Sequence, residues 1–170
     1  MQDFFDFPNP VNEVSARFVA GGVVALAVVT LVTRQPLLLL PLCYGFWARV
    51  LTGPTLSPLG QFVTRVVTPR LGIDRPTAGP PKRFAQGMGA AVTTAAVVSW
   101  FVVGSPIATW TLVAMITLAA SLEAFLGFCL GCVIFGQLMR LGVIPQSVCE
   151  ECADISGRLA LRRADRVSVG

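Results

Sequence analysis

The sequence predicts an all-α membrane protein: four transmembrane helices arranged as two hairpins, a short interfacial helix in the central loop, and an amphipathic C-terminal helix. Three observations carry that prediction. Of 170 residues, 54% are hydrophobic and 13% charged, about half the charged share of soluble domains. The mean hydropathy is +0.72, with apolar runs approaching the roughly twenty residues that cross a bilayer. Lys and Arg gather in alternate connecting segments. Together these give one membrane domain over residues 1–141 and a tail over 142–170. The bilayer is the first partner implied, and no nucleic acid is.

The first span is read over residues 17–33, with Asn9 as N-cap and Pro10 at the first helical position. The acidic start "MQDFFDFPNPVNE" lacks the basic region of a signal peptide. The second span, 37–52, follows the turn "TRQP"; the third, 84–103, ends at "GSP"; the fourth, 107–132, is the longest. The loop between the hairpins carries Arg65, Arg70, Arg75, Lys82 and Arg83, and the tail carries Arg140, Arg158, Arg162, Arg163 and Arg166. The two opposite turns hold only Arg34. The positive-inside rule therefore puts both termini and the central loop of a multi-pass membrane protein in the cytoplasm.

Within the central loop, Ser57 reads as an N-cap and Pro58 as the first helical residue. Leu59, Phe62, Val63, Val66 and Val67 then fall on one helical face, as in a helix lying on the membrane surface. "RFVAGGVVA" from Arg17 and "RFAQGMGAA" from Arg83 share Arg-Phe, a Gly and an Ala. Read as a repeat, they make the two hairpins parallel copies; read otherwise, Arg-Phe marks a membrane interface. Arg17, Arg49 and Arg83 sit at helix ends, where side chains ordinarily snorkel to phosphate. Gly21 with Ala25, Gly87 with Ala91, Ala120 with Ala124 and Gly127 with Gly131 are small-residue pairs of the kind that let helices approach.

The chain has no histidine, which excludes Ser-His-Asp and Cys-His catalysis and His-ligated metals. It has five cysteines. Cys129 and Cys132 form one Cys-x-x-Cys pair, Cys149 and Cys152 a second, and packing is the default reading of Cys43. Twenty-two steps of about 1.5 Å from Ile107 put Cys129 at the inner end of helix four, one face of which holds both thiols. The helix is expected to continue to about Leu141. "SVCE" makes Ser147 and Glu150 a capping box, with Cys149 early in a new helix whose N-terminus favours a thiolate. Val148, Cys152, Ile155 and Leu159 give that helix an apolar stripe.

Three readings of the four cysteines stand side by side. They form a dithiol or persulfide site, a four-thiolate zinc or iron site, or small apolar packing residues. Glu123 is the one acidic residue well inside a predicted span, and Gln86 is a partner at compatible depth. Such a carboxylate either relays protons to a thiol or hydrogen-bonds between helices.

The elements "ARFVA", "GPTLSPLGQF", "PRLG", "PPKRFAQGMGA" and "GFCLGC" resemble a bacterial family of integral membrane proteins, domain of unknown function 4395, over roughly Val11 to Arg140. The tail "GVIPQSVCEEC" is similar to its actinobacterial branch. The resemblance implies a four-helix membrane domain with a cysteine pair at Cys129 and Cys132. It also implies association with thioredoxin-like or sulfurtransferase proteins. The expected function is a cytoplasm-facing thiol/disulfide or persulfide relay that uses Cys129, Cys132, Cys149 and Cys152, with Glu123 assisting. The alternative is a non-enzymatic scaffold, or a subunit of a larger membrane complex, whose four cysteines hold structural zinc or iron.

Overall fold

The computed structural model describes residues 10–73, 75–145, 148 and 149. Over these the chain is helical apart from one short clip. Helix α1 spans Glu13–Thr33. After the 3-10 turn Pro36–Leu38 comes α2, Leu39–Thr52. The central loop holds α3, Pro58–Phe62, a π-helical turn over Val63–Val67, and α4, Thr68–Leu71. Helix α5, Gly79–Val98, runs into a π-helical turn over Ser99–Val103. Helix α6 is Pro106–Leu126 and α7 is Leu130–Arg140. Strands β1, Val11–Asn12, and β2, Pro76–Thr77, pair antiparallel just ahead of α1 and α5.

Three helices are long and apolar enough to cross a membrane: Glu13–Thr33, Gly79–Phe101 and Pro106–Leu126. The Pro36–Thr52 stretch is apolar but shorter. Their outer faces are apolar too: Val32, Val102 and Ile107 are 78%, 78% and 83% exposed. A water-soluble monomer seldom leaves so many large apolar side chains outside, whereas a bilayer receives them.

The core lies between the helices rather than around them. Val23, Ala27, Leu42, Phe46, Val113 and Ile116 meet inside. Helix α1 packs along α6, α2 along α5, and α5 along α6, while α1 and α2 scarcely touch. Each hairpin therefore buries its apolar surface against the other hairpin. Gly131, one of the paired small residues, admits Ala85, while Gly21 and Gly87 face open space and their neighbours Gly22 and Gly89 admit Leu59 and the Phe46 ring. Buried threonines donate to their own helix, Thr30 to the Leu26 carbonyl and Thr52 to that of Ala48, which satisfies the hydroxyl without water.

The halves repeat one another in detail. Each has a long helix, a left-handed turn, a second helix opened by a proline, a glycine of positive φ and a capped third helix. Arg34 and Gly104 take the first positive φ, at +49° and +69°. Gly53 and Gly127 take the second, at +61° and +68°. Arg17 Nε donates to the Ala124 carbonyl and Arg83 Nε to that of Val50. Each acceptor lies three residues before the positive-φ glycine. The arginine opening each half thus caps the second helix of the other half, where a cation suits the helix dipole. An antiparallel β1–β2 clip is the pairing that a two-fold exchange of the halves requires.

Helix boundaries differ from the sequence reading at the start of α1 and within helix four. Asn12, not Asn9, caps α1, its Oδ1 accepting from the Val14 amide; Asn9 itself lies outside the described residues. Helix four is not continuous to Leu141. It stops at Leu126, because Gly127 turns left-handed and its amide returns to the Glu123 carbonyl. Cys129 then starts a new helix.

Candidate functional site

One end of the bundle collects the polar side chains. Pro80 and Pro81 lie in the first turn of α5, which starts five residues earlier than apolarity implies. That places Lys82 inside the helix, 8% exposed and turned to the interior, while the adjacent Arg83 caps α2. Glu123, in the last turn of α6, meets Lys82 Nζ at 2.6 Å, with both side chains largely buried. Glu123 therefore does have a titratable neighbour, contrary to the sequence reading, and Gln86 is not its partner.

Gln86 instead serves Arg49. Arg49 was expected to snorkel outward, but it is 5% exposed. Its guanidinium lies over the Phe46 ring, 4.7 Å from the centroid. Its Nε donates to Gln86 Oε1 at 2.8 Å and its Nη1 to Ser57 Oγ at 3.4 Å. Its Nη2 is buried with no hydrogen-bond partner among the described residues. Arginine has only donors, so the Gln86 amide turns its oxygen to Arg49. Ser57 caps α3 from the same position, its Oγ accepting from the Gly60 amide.

The Cys129–Cys132 pair opens α7. Cys129 is the N-cap, with its Sγ accepting from the Cys132 amide at 3.4 Å. The two are thus an N-cap and the third helical residue, not two positions on the face of a continuing span. Cys129 is buried and Cys132 half-buried, and both are free thiols. The Cys129 thiol is held below the ordinary cysteine range. The hydrogen bond from the Cys132 thiol is the main cause, followed by the Lys82 ammonium and the Cys132 amide; burial and the Glu123 carboxylate oppose them. Cys132 moves the other way, because its hydrogen bond to Cys129 keeps its proton in place. The pair therefore ionises at Cys129 first.

A cavity of about 160 Å³ reaches this cluster. Gln86, Glu123 and Cys129 line its polar end. Phe46, Val92 and Met115 are among its apolar walls.

Cys43 and Cys149 sit in other packing environments. Cys149 is disulfide-bonded, not the free thiol that the sequence reading required of a nucleophile or ligand. It is buried against Ala78, Phe135 and Met139. Cys152 and the capping box of Ser147 and Glu150 lie outside the described residues. Among the described residues no three His, Cys, Asp or Glu side chains gather as a metal set. Cys43 packs in α2, its Sγ 3.5 Å from Thr94 Oγ1.

Sequence reasoning missed Lys82, Arg49 and the role of Gln86. The signal for Lys82 was present in "GPPKRF". Prolines that begin a helix at Gly79 leave adjacent basic residues about 100° apart, so both cannot face outward.

Fold and site together define a helical protein with membrane-length apolar helices and a buried dithiol set against an ion pair. The chain belongs to the family described as Domain of unknown function (DUF4395), whose model matches residues 11–140. No curated protein and no solved structure matches it.

Proposed function

We propose that the protein is a dithiol relay in a bacterial inner membrane, exchanging disulfides or persulfides with a thioredoxin-like or sulfurtransferase partner in the cytoplasm. In this reading four helices span the bilayer as two hairpins and both termini are cytoplasmic. The distribution of Lys and Arg supports that orientation. The helix over residues 58–71 then lies at the inner surface.

The observation that carries the proposal is Cys129 at a helix N-cap beside Lys82, with the more exposed Cys132 three residues on. In the oxidised protein Cys129 and Cys132 are bridged. A partner thiolate attacks the reachable sulfur, Cys132, and the S–S electron pair leaves on Cys129. A leaving thiolate of lowered pKa departs faster, and the N-cap and Lys82 supply that stabilisation. The second thiol of the partner then attacks its own mixed-disulfide sulfur and releases Cys132. The partner becomes a disulfide and this protein a dithiol. The reverse sequence reduces a partner disulfide. Glu123 holds Lys82 in place and is the nearest carboxylate for moving thiol protons.

Cys129→Ser removes the displaced sulfur, so it should accumulate a mixed disulfide between Cys132 and an oxidised thioredoxin-like protein. Cys132→Ser should not. Equal trapping by both variants, or none by either, would overturn the relay. So would about one zinc or iron per wild-type chain that disappears in Cys129→Ser.

A further inference from the structure

The relay reading, on which this inference rests, needs a second redox partner to return the dithiol to the disulfide. Cys129 is 7% exposed and reaches open space through the cavity. At the far side of that cavity Met115 is 57% exposed in the middle of α6, a helix of membrane length. The entrance is therefore lateral, toward lipid, and its walls beyond Gln86 and Glu123 are apolar. A hydrated anion gains little from such walls.

Gln86 gives its amide oxygen to Arg49, so what it can offer on the cavity wall is a donor, its NH2. The occupant therefore offers oxygen acceptors on an apolar body. The volume, about 160 Å³, is that of a site for one six-membered ring, since a cavity of about 150 Å³ admits benzene. It must also accept two electrons, because two thiols becoming a disulfide release two. A lipid-soluble quinone meets every one of these conditions.

We infer that the cavity between α5 and α6 admits the ring of a membrane quinone, which oxidises the Cys129–Cys132 dithiol. Two S–H bonds break and one S–S bond forms. The two electrons and two protons convert the quinone to the quinol, whose oxygens are where the Gln86 amide donates. Ala119, on the cavity wall, fixes how much room the ring has.

The full-length protein, reduced, desalted and held in lipid nanodiscs, is mixed with a short-chain ubiquinone whose ring is too substituted to alkylate thiols. Quinol absorbance and mass spectrometry of the 129–132 peptide are followed together. The expected result is one quinol per disulfide, with none formed by Cys129→Ser or Cys132→Ser. Gln86→Leu should raise the half-saturating quinone concentration about five- to tenfold, the equivalent of one hydrogen bond. Ala119→Phe, checked for an unchanged melting temperature, should lose reaction with quinone but keep reaction with oxidised thioredoxin. Met115→Trp, at the mouth, provides a second block should Ala119→Phe fail to fold.

Wild-type protein oxidised by thioredoxin disulfide but inert to quinone overturns this inference and leaves the relay standing. Inertness to both overturns the relay as well. Quinone oxidation undiminished in both cavity variants overturns the assignment to the cavity.

Discussion

Lys82 is the side chain on which the site turns. It neutralises Glu123 at 2.6 Å and also favours the Cys129 thiolate. Replacing it with methionine removes a cause that lowers the Cys129 pKa. The alkylation rate of Cys129 rises with pH as the thiol ionises, so in Lys82→Met that rise should move to higher pH. Iodoacetamide labelling of the 129–132 peptide across a pH series measures the shift, with Cys43 as internal reference.

Glu123 tests the other half of the pair. Glu123→Ala leaves a buried ammonium uncompensated and should cost about 3–5 kcal/mol of stability. The double change Lys82→Met with Glu123→Leu should recover most of it. Unfolding in detergent reads both. None of this pairing was legible from apolar patterning, which treats Lys82 as the edge of a loop and Arg49 as a surface anchor. Each is buried because a specific partner on another helix satisfies it, and a single sequence carries no record of such partners.

At the scale of elements, the informative feature is the break between α6 and α7. The run from Ile107 to Cys132 is apolar enough to read as one span, and its existence and period were legible. Its interruption depends on one backbone conformation, φ +68° at Gly127, and a glycine within an apolar run does not announce its sign of φ. Gly127→Ala should cost about 1–2 kcal/mol, the penalty of a left-handed non-glycine residue. It should also pull Cys129 out of its N-cap. Loss of the low-pH reactivity of Cys129 with the fold retained, read by the same labelling, would show that the break serves the thiol. The start of α3 was more legible, since Ser57 and Pro58 act locally as N-cap and first residue. Local signals survive in a sequence where tertiary ones do not.

For the whole molecule, the Arg-Phe similarity of the halves proved to mark a set of exchanged contacts. Chains of residues 1–77 and 78–170, expressed together, should therefore co-purify from membranes. Each expressed alone should be degraded. Arg17→Ala and Arg83→Ala should each weaken that association. Recovery of either half alone as a stable species would contradict the exchange.

The exchanged arginine caps also impose an order on biosynthesis. The Val50 carbonyl waits for Arg83, 33 residues later, and Arg17 waits for the Ala124 carbonyl, 107 residues later. Until α5 and α6 are made, α1 and α2 lack the helices they pack against. The buried ion pair can form only once Glu123 has followed Lys82 by 41 residues.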